Sequence, residues 1–247
     1  MVEILHKIEK NAAERRKQLA VLIDPDKCNT DNLRHLAQMA SEAQVDYIFV
    51  GGSLITTGNL EKCTEFLKEI SPIPIVLFPG SVFQICKQAD SILLLSLISG
   101  RNPDMLIGNH VVSSFALRES GLEVIPTGYM LVESGKITSV QYVSNTLPIP
   151  ADKDEIAVAT ALAGQMLGLK LMFLEAGSGA HTPVTHSMIT QVKENISIPL
   201  IVGGGIKTAE MAATVWRAGA DLLVVGNALE KNPNLILQIG LEKTKFN

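Results

Sequence analysis

The sequence predicts a closed (β/α)8 barrel of the TIM type. Three observations carry that prediction. Eight short, apolar, β-rich runs recur, at 19–24, 47–51, 75–78, 91–96, 123–128, 170–176, 200–204 and 222–226. Longer segments of helical periodicity lie between them, among them 32–43, 59–70, 154–168 and 208–219, and strands alternating with helices build a parallel sheet. The chain has 247 residues, and a barrel of eight such units takes about 250. A doubly wound open sheet is the alternative for the same alternation. No linker, low-complexity tract or boundary divides the chain, so residues 1–247 read as one barrel domain with an N-terminal helix.

Each element has its own justification. Residues 1–18 alternate charged and apolar side chains, as in an amphipathic helix and unlike a cleaved leader. The strand runs are continuously apolar because a parallel sheet is covered on both faces. That accounts for a hydrophobic content of 47% and a mean hydropathy of +0.25. The segment 81–90 is short for a barrel helix, so the third side of the barrel should be abbreviated. Residues 129–149 depart furthest from the pattern and are expected to form a loop or small hairpin over one end, or an oligomer contact.

Composition excludes several classes. The net charge is −4, the pI is about 5.8, and no basic run stands out, which argues against a nucleic-acid partner. The longest near-apolar run, 91–99, is far shorter than the roughly 20 residues that cross a bilayer. A soluble, cytoplasmic protein is expected. Cys28, Cys63 and Cys86 are odd in number and lack C-x-x-C spacing, which reads as reduced thiols and no zinc site. His6, His35, His110 and His186 show no metal-ligand spacing.

A barrel carries its chemistry at the carboxyl ends of its strands. Here those ends are small or polar while the strand interiors are apolar. GGGIKT at 203–208 and GNAL at 226–229 follow strands seven and eight, where barrels commonly hold phosphate. Glycines let backbone amides face an anion, and a following helix adds the positive end of its dipole. Gly177, Ser178 and Gly179 would close the cradle from a third side. The competing reading is that these glycines only make tight turns.

Two carboxylates share that mouth. Asp24 ends strand one, where a carboxylate facing a phosphate-bearing substrate suits Mg2+, with Ser53 supplying a neighbouring oxygen. Asp26 reads as the cap of the following helix. Lys27 either helps hold a diphosphate or is an ordinary solvated lysine. Glu175 stands between the apolar run 171–174 and the glycine loop, where a general base can reach a substrate hydroxyl. A carboxylate ion-paired inside the mouth is its alternative. His181 reads as a solvated loop histidine.

Together LIDPDK (22–27), FVGGS (49–53), FLEAGSG (173–179), IVGGGI (201–206) and VGNA (225–228) resemble the geranylgeranylglyceryl phosphate synthases, from strand one to strand eight. The details resemble the larger-subunit group of that family, which includes heptaprenylglyceryl phosphate synthases among its bacterial relatives. The resemblance implies a modified barrel with a degenerate third helix. It implies Mg2+-dependent transfer of a prenyl group from prenyl diphosphate, most simply geranylgeranyl diphosphate, to the C3 hydroxyl of sn-glycerol 1-phosphate. By position it implies Asp24 and Ser53 as metal ligands and Glu175 as the base. Phe173, Leu174, Glu175, Ala176, Gly177, Ser178, Gly179, Gly204, Gly205, Gly226 and Asn227 would hold glycerol phosphate. It also implies a homo-oligomer, dimer or hexamer, for which Trp216 or Tyr142 is a candidate contact. Two departures stand out: Phe173 occupies a position where the family often has tyrosine, and SGAHTPV (178–184) differs from the commoner version.

The prenyl tail requires an apolar groove, expected along the incomplete side near strands two to four. Such a groove also suggests peripheral contact with a membrane surface. The rival functions are a sugar-phosphate isomerase or aldolase and a non-catalytic phosphate-binding barrel. An aldolase wants a strand-end lysine for its Schiff base, and neither Lys170 nor Lys207 fits well.

Overall fold

All eight apolar runs form strands, and the strands close into one parallel barrel in sequence order. The structure is a computed structural model describing residues 3–247. The strands are β1 (Gln18–Ile23), β2 (Tyr47–Val50), β3 (Ile75–Leu77), β4 (Ser91–Leu97), β5 (Glu123–Leu131), β6 (Leu171–Glu175), β7 (Leu200–Gly203) and β8 (Leu222–Val225). Closure is made by β1 and β8, with Gln18 opposite Leu222 and Val21 opposite Val225. The open-sheet alternative is thereby excluded.

Helices surround the barrel or close its ends. They are α1 (Ile4–Ala13), α2 (Thr30–Glu42), α3 (Leu60–Ile70), α4 (Asn109–Ser120), α5 (Ser139–Ser144), α6 (Asp154–Met166), α7 (His186–Asn195), α8 (Ala209–Arg217), α9 (Asn227–Lys231) and α10 (Leu235–Thr244). Polar caps set several starts: the side chains of Asn29, Asn59, Thr185 and Thr208 each accept a first-turn amide.

The predicted 1–18 helix is shorter than expected, and residues 1 and 2 lie outside the described residues. Its apolar face has a definite partner. Ile4 and Ile8 are fully buried among the inward-facing side chains of the barrel. The Glu123 carboxylate accepts the Ile4 and Leu5 amides at 2.6 and 2.9 Å, supplying the anionic cap that Glu3 does not. At the same end Gln18 is buried, accepts the Tyr47 hydroxyl at 3.0 Å, and donates to the Ile8 carbonyl. The α1 helix therefore plugs the amino end of the barrel and leaves the carboxyl end open.

Two other segments follow the expectation, the third side being abbreviated and 129–149 forming the loop rather than the hairpin. Residues 81–90 form no helix at all. No helix from that segment covers β3 and β4, and Leu94, Leu95 and Ser96 are only half-buried, whereas β6, β7 and β8 are buried throughout. In 129–149 no hairpin forms. Strand β5 runs on to Leu131, and the rest is a loop carrying α5, tied back by a parallel bridge between Val132 and Ile149. Trp216 cannot be a subunit contact. It is 1% exposed, and its indole donates to the Gln18 carbonyl within the same chain.

Candidate active site

The carboxyl ends of the strands surround a cavity of about 940 Å³. Glu175, Gly177, Ser178, Gly179, Gly204, Gly205, Gly226, Asn227, Asp24 and Ser53 all line it. Residues up to 203 positions apart in sequence are thus brought to one mouth (Ser178 and Asn227 are hydrogen-bonded across 49, Lys27 and Glu230 across 203).

Glu175 is the last residue of β6, and strand alternation turns it inward with Leu171 and Phe173. It is 6% exposed. Its Oε1 accepts the Gly177 amide at 2.7 Å. Burial pushes its carboxyl up to about 7, against the lowering effect of that amide. Among the described residues no cation pairs with it, so the ion-pair alternative is not realised. Gly203 and Gly204 make room for this carboxylate. A methyl on Gly203 would lie 2.7 Å from Oε2, and one on Gly204 would lie 2.5 Å from Oε1.

The glycine loops form the cradle beside it. Gly177, Gly179, Gly204 and Gly205 all have positive φ, between 66° and 92°, which side-chain-bearing residues rarely adopt. Ser178 Oγ donates to Asn227 Oδ1 at 3.0 Å, joining the β6 and β8 loops. The helix directly behind a glycine loop is the short α9, while α8 begins only at Ala209. His181 is exposed, and its carbonyl accepts the Lys207 ammonium at 3.0 Å.

The residues 173–176 divide by strand parity. Phe173 is fully buried one layer below the cavity, stacked on Phe78 at 5.2 Å and edge-on to Tyr129 at 5.5 Å. Leu174 and Ala176 point outward into the core between sheet and helices, and the Ala176 amide is committed to the Gly203 carbonyl at 3.1 Å. Phe173, Leu174 and Ala176, expected to hold substrate, do not line the cavity with their side chains. Phe173 supports the floor, and the other two face away from the mouth because alternate strand residues must.

Asp24 lies one residue past β1 and caps a short 3-10 turn, Pro25–Lys27, by accepting the Asp26 amide at 3.1 Å. Its other oxygen is 3.4 Å from the Lys27 ammonium. Lys27 also pairs with Glu230 at 3.0 Å. Burial alone would lower the Lys27 ammonium, but Glu230 and Asp24 outweigh it and raise it. Lys27 is thus neither free in solvent nor aimed at the cavity alone. Asp26 does not cap its own turn. Its carboxylate accepts the Thr56 and Thr57 amides at 2.8 and 2.9 Å and also the Gly58 amide. The Thr56 and Gly58 amides hold it well below the ordinary carboxylate range.

The donor set suits Mg2+. Asp24 offers a partly exposed carboxylate and Ser53 a neighbouring hydroxyl, both on a cavity with room for water and phosphate oxygens. Mg2+ typically takes one or two protein oxygens and completes its shell in that way. Among the described residues no cluster of three or more His, Cys, Asp or Glu could hold a metal by itself.

A second hollow opens from the mouth. Gly52, Ser53, Phe78, Tyr129, Val140 and Val143 line both. It runs between the uncovered β3–β4 side and α4, past Ile92, Leu94 and Leu117. The missing third helix is what leaves this apolar groove. Sequence reasoning located its side but missed Tyr129 and Thr138. Tyr129 sits at the junction, buried, with its phenol pushed up by burial and by Glu175. Thr138 presses on Gly177 and keeps its buried hydroxyl without a partner. Tyr129 was legible only as the end of strand five, and Thr138 carried no signal.

Comparison with known proteins agrees with this geometry. Residues 11–243 match the PcrB family. A relative from Chitinophaga pinensis named geranylgeranylglyceryl phosphate synthase is 55% identical over 223 residues, covering 90% of this chain and 88% of its own. One of the same name from Thermococcus kodakarensis is 46% identical over 219 residues, covering 88% and 86%. The crystal structure of the Thermoplasma acidophilum (S)-3-O-geranylgeranylglyceryl phosphate synthase in complex with sn-glycerol-1-phosphate superposes with a TM-score of 0.92 at 30% identity, covering 99% of this chain and 100% of that one. The tryptophan synthase alpha chain of Legionella pneumophila, at TM-score 0.58 and 17% identity, shares the barrel fold alone. Together, the match over residues 11–243, relatives of this identity and a barrel of this shape place the chain in the PcrB family, among proteins named geranylgeranylglyceryl phosphate synthase.

Proposed function

We propose that this chain is a prenyltransferase that joins the C3 hydroxyl of sn-glycerol 1-phosphate to a prenyl group from prenyl diphosphate, with geranylgeranyl diphosphate as the first-choice donor. One observation carries the reading. Glu175, a buried carboxyl held near neutrality, stands where the glycine cradle meets the mouth of an apolar groove. A phosphate-bearing acceptor, a base and a greasy donor have a place each.

The steps follow from that arrangement. Backbone amides of the Gly177–Gly179, Gly204–Gly205 and Gly226–Asn227 loops receive the phosphate of the acceptor and fix its hydroxyl beside Glu175. The tail lies in the β3–β4 groove, with its reactive carbon at the Phe78–Tyr129 junction. As the carbon–oxygen bond to diphosphate weakens, the allylic carbon gains cationic character. The acceptor oxygen bonds to it, and Glu175 takes the hydroxyl proton. Asp24 and Ser53 are the residues that would hold Mg2+, whose chemistry is neutralisation of charge on the departing diphosphate. Lys27 adds a positive charge on the same side of the mouth.

Heptaprenyl diphosphate is the alternative donor, and the groove is the feature that decides between them. An aldolase is disfavoured because Lys207 is engaged at the rim with the His181 carbonyl, and Lys170 precedes β6 at the opposite end. The exposed apolar face of α4, with Val111, Val112 and Phe115, and the 82% exposed Tyr142 favour a homo-oligomer, dimer or hexamer. Among the described residues no helix is long and apolar enough to cross a membrane. Any membrane contact would be peripheral, at the groove mouth.

The test is a product assay with Mg2+, using labelled sn-glycerol 1-phosphate or 3-phosphate and a ladder of prenyl diphosphates. Lipid product from the 1-phosphate alone is expected, and the best donor defines the tail length. No product from any pair would overturn the reading.

A further inference from the structure

The turn that carries Asp24 also carries half of a thiol pair. Cys28 follows Lys27 directly, and its Sγ lies 3.3 Å from Sγ of Cys63, one turn into α3. Cys28 is partly exposed and Cys63 is buried. Cys28 Sγ also donates to the Asp24 carbonyl at 3.2 Å. The two segments are already clasped together. The Asp26 carboxylate takes the Thr56, Thr57 and Gly58 amides, and Gly58 packs so closely on Pro25 that a Cβ there would overlap its carbonyl.

We propose that Cys28 and Cys63 form a reversible dithiol–disulfide site, oxidised by peroxide, that controls the Asp24 turn. One thiolate attacks a peroxide oxygen, forming a sulfenic acid and releasing hydroxide. The sulfur of the second thiol then displaces the sulfenic oxygen, which leaves as water, and the S–S bond forms. A disulfide requires about 2.05 Å between sulfurs, so the two sulfurs must approach by roughly 1 Å, through side-chain rotation and movement of the turn toward α3. Asp24 and Lys27 move with the turn, because they lie within four residues of Cys28 and Asp24 is bonded to it directly. A displacement approaching 1 Å at a substrate-positioning element can cost on the order of 100-fold in rate. Cys86 supplies an internal comparison, since it is buried elsewhere and bonded to Gln88.

The site itself is independent of the reaction, whereas its control of turnover rests on the prenyl-transfer reading. The full-length protein is treated with graded hydrogen peroxide, its remaining thiols are alkylated, and nonreduced peptides are mapped by mass spectrometry. A linked Cys28–Cys63 peptide pair is expected, with Cys86 alkylated, together with a Tm raised on the order of 5 °C that returns with dithiothreitol. Prenyl transfer is expected to fall with the linkage and recover with dithiothreitol, while Cys28→Ser and Cys63→Ser keep their activity under peroxide. Thiols that stay alkylatable, or that end as separate sulfinic acids, would overturn the site. Linkage with undiminished turnover would overturn the control. A reduced wild type without activity would count against the prenyl-transfer reading, and the peptide map and Tm would still decide the site.

Discussion

The Glu175 carboxylate accepts the amide of Gly177 at 2.7 Å, closing a small ring between the end of β6 and the loop that follows it. The same oxygen lies 2.5 Å from where a Gly204 methyl would be, and its partner oxygen lies 2.7 Å from where a Gly203 methyl would be. The Glu175 carboxylate and the glycine loops are therefore built against each other, and disturbing one disturbs the other.

Glu175→Gln keeps the shape and removes the basicity. Turnover should drop on the order of 10²–10⁴-fold, the usual worth of a positioned base. Binding of sn-glycerol 1-phosphate, followed by calorimetry, should change little. A variant that keeps turnover would remove Glu175 from the chemistry.

Wild-type kcat/KM should fall about tenfold per pH unit below a midpoint near 7, because the base must be deprotonated and burial holds its proton until about that pH. Stability moves the other way. The Glu175 carboxyl binds its proton more tightly folded than unfolded, so its favourable contribution is complete below about pH 4.5 and is lost as pH rises through about 7. Glu175→Gln should therefore be more stable than wild type above pH 7, by on the order of 3 kcal/mol, and no more stable near pH 4. Thermal melts across pH read the difference directly.

Gly204→Ala and Gly226→Ala separate a required glycine from a tolerant one. At Gly204 φ is +84° and the new methyl would lie 2.8 Å from the Ala176 and Gly177 amide nitrogens. A stability loss of about 1–3 kcal/mol and at least a tenfold rise in KM for glycerol phosphate are expected. At Gly226 the nearest atom is the Leu22 Cβ at 3.3 Å, and the folding cost should be well under that of Gly204→Ala.

Asp24→Ala should abolish most Mg2+-dependent turnover while leaving acceptor binding in place, because the cradle is made by other loops. Chelation of wild type should reproduce the loss, and added Mg2+ should restore wild type only. Equal turnover of both proteins over a Mg2+ titration would exclude Asp24 as a ligand.

Ser113→Phe places a ring in the groove from α4, where Ser113 is 8% exposed and lines it. The preferred donor in the prenyl ladder should shorten, with KM for glycerol phosphate unchanged. An unchanged donor profile would place the tail elsewhere.

The order of strands and helices was readable from periodicity alone, since a run apolar on both faces has one stable home in a parallel sheet. The glycine loops and the carboxylates Asp24 and Glu175 were readable because strand ends in a barrel share one mouth and those backbone angles favour glycine. Which way each side chain points was settled by the exact register: Glu175 ends β6 facing in, and Leu174 beside it faces out. Asp26 read as a helix cap, yet its amide partners come from the loop after β2, which no local pattern could announce. The groove is an absence, a helix that 81–90 does not form, and absences become surfaces only when the neighbouring elements are in place. Tyr129 beside Phe173, Thr138 against Gly177, and Cys28 against Cys63 are contacts between remote segments. Local sequence determines which backbone shapes are cheap, and only chain closure determines which side chains meet.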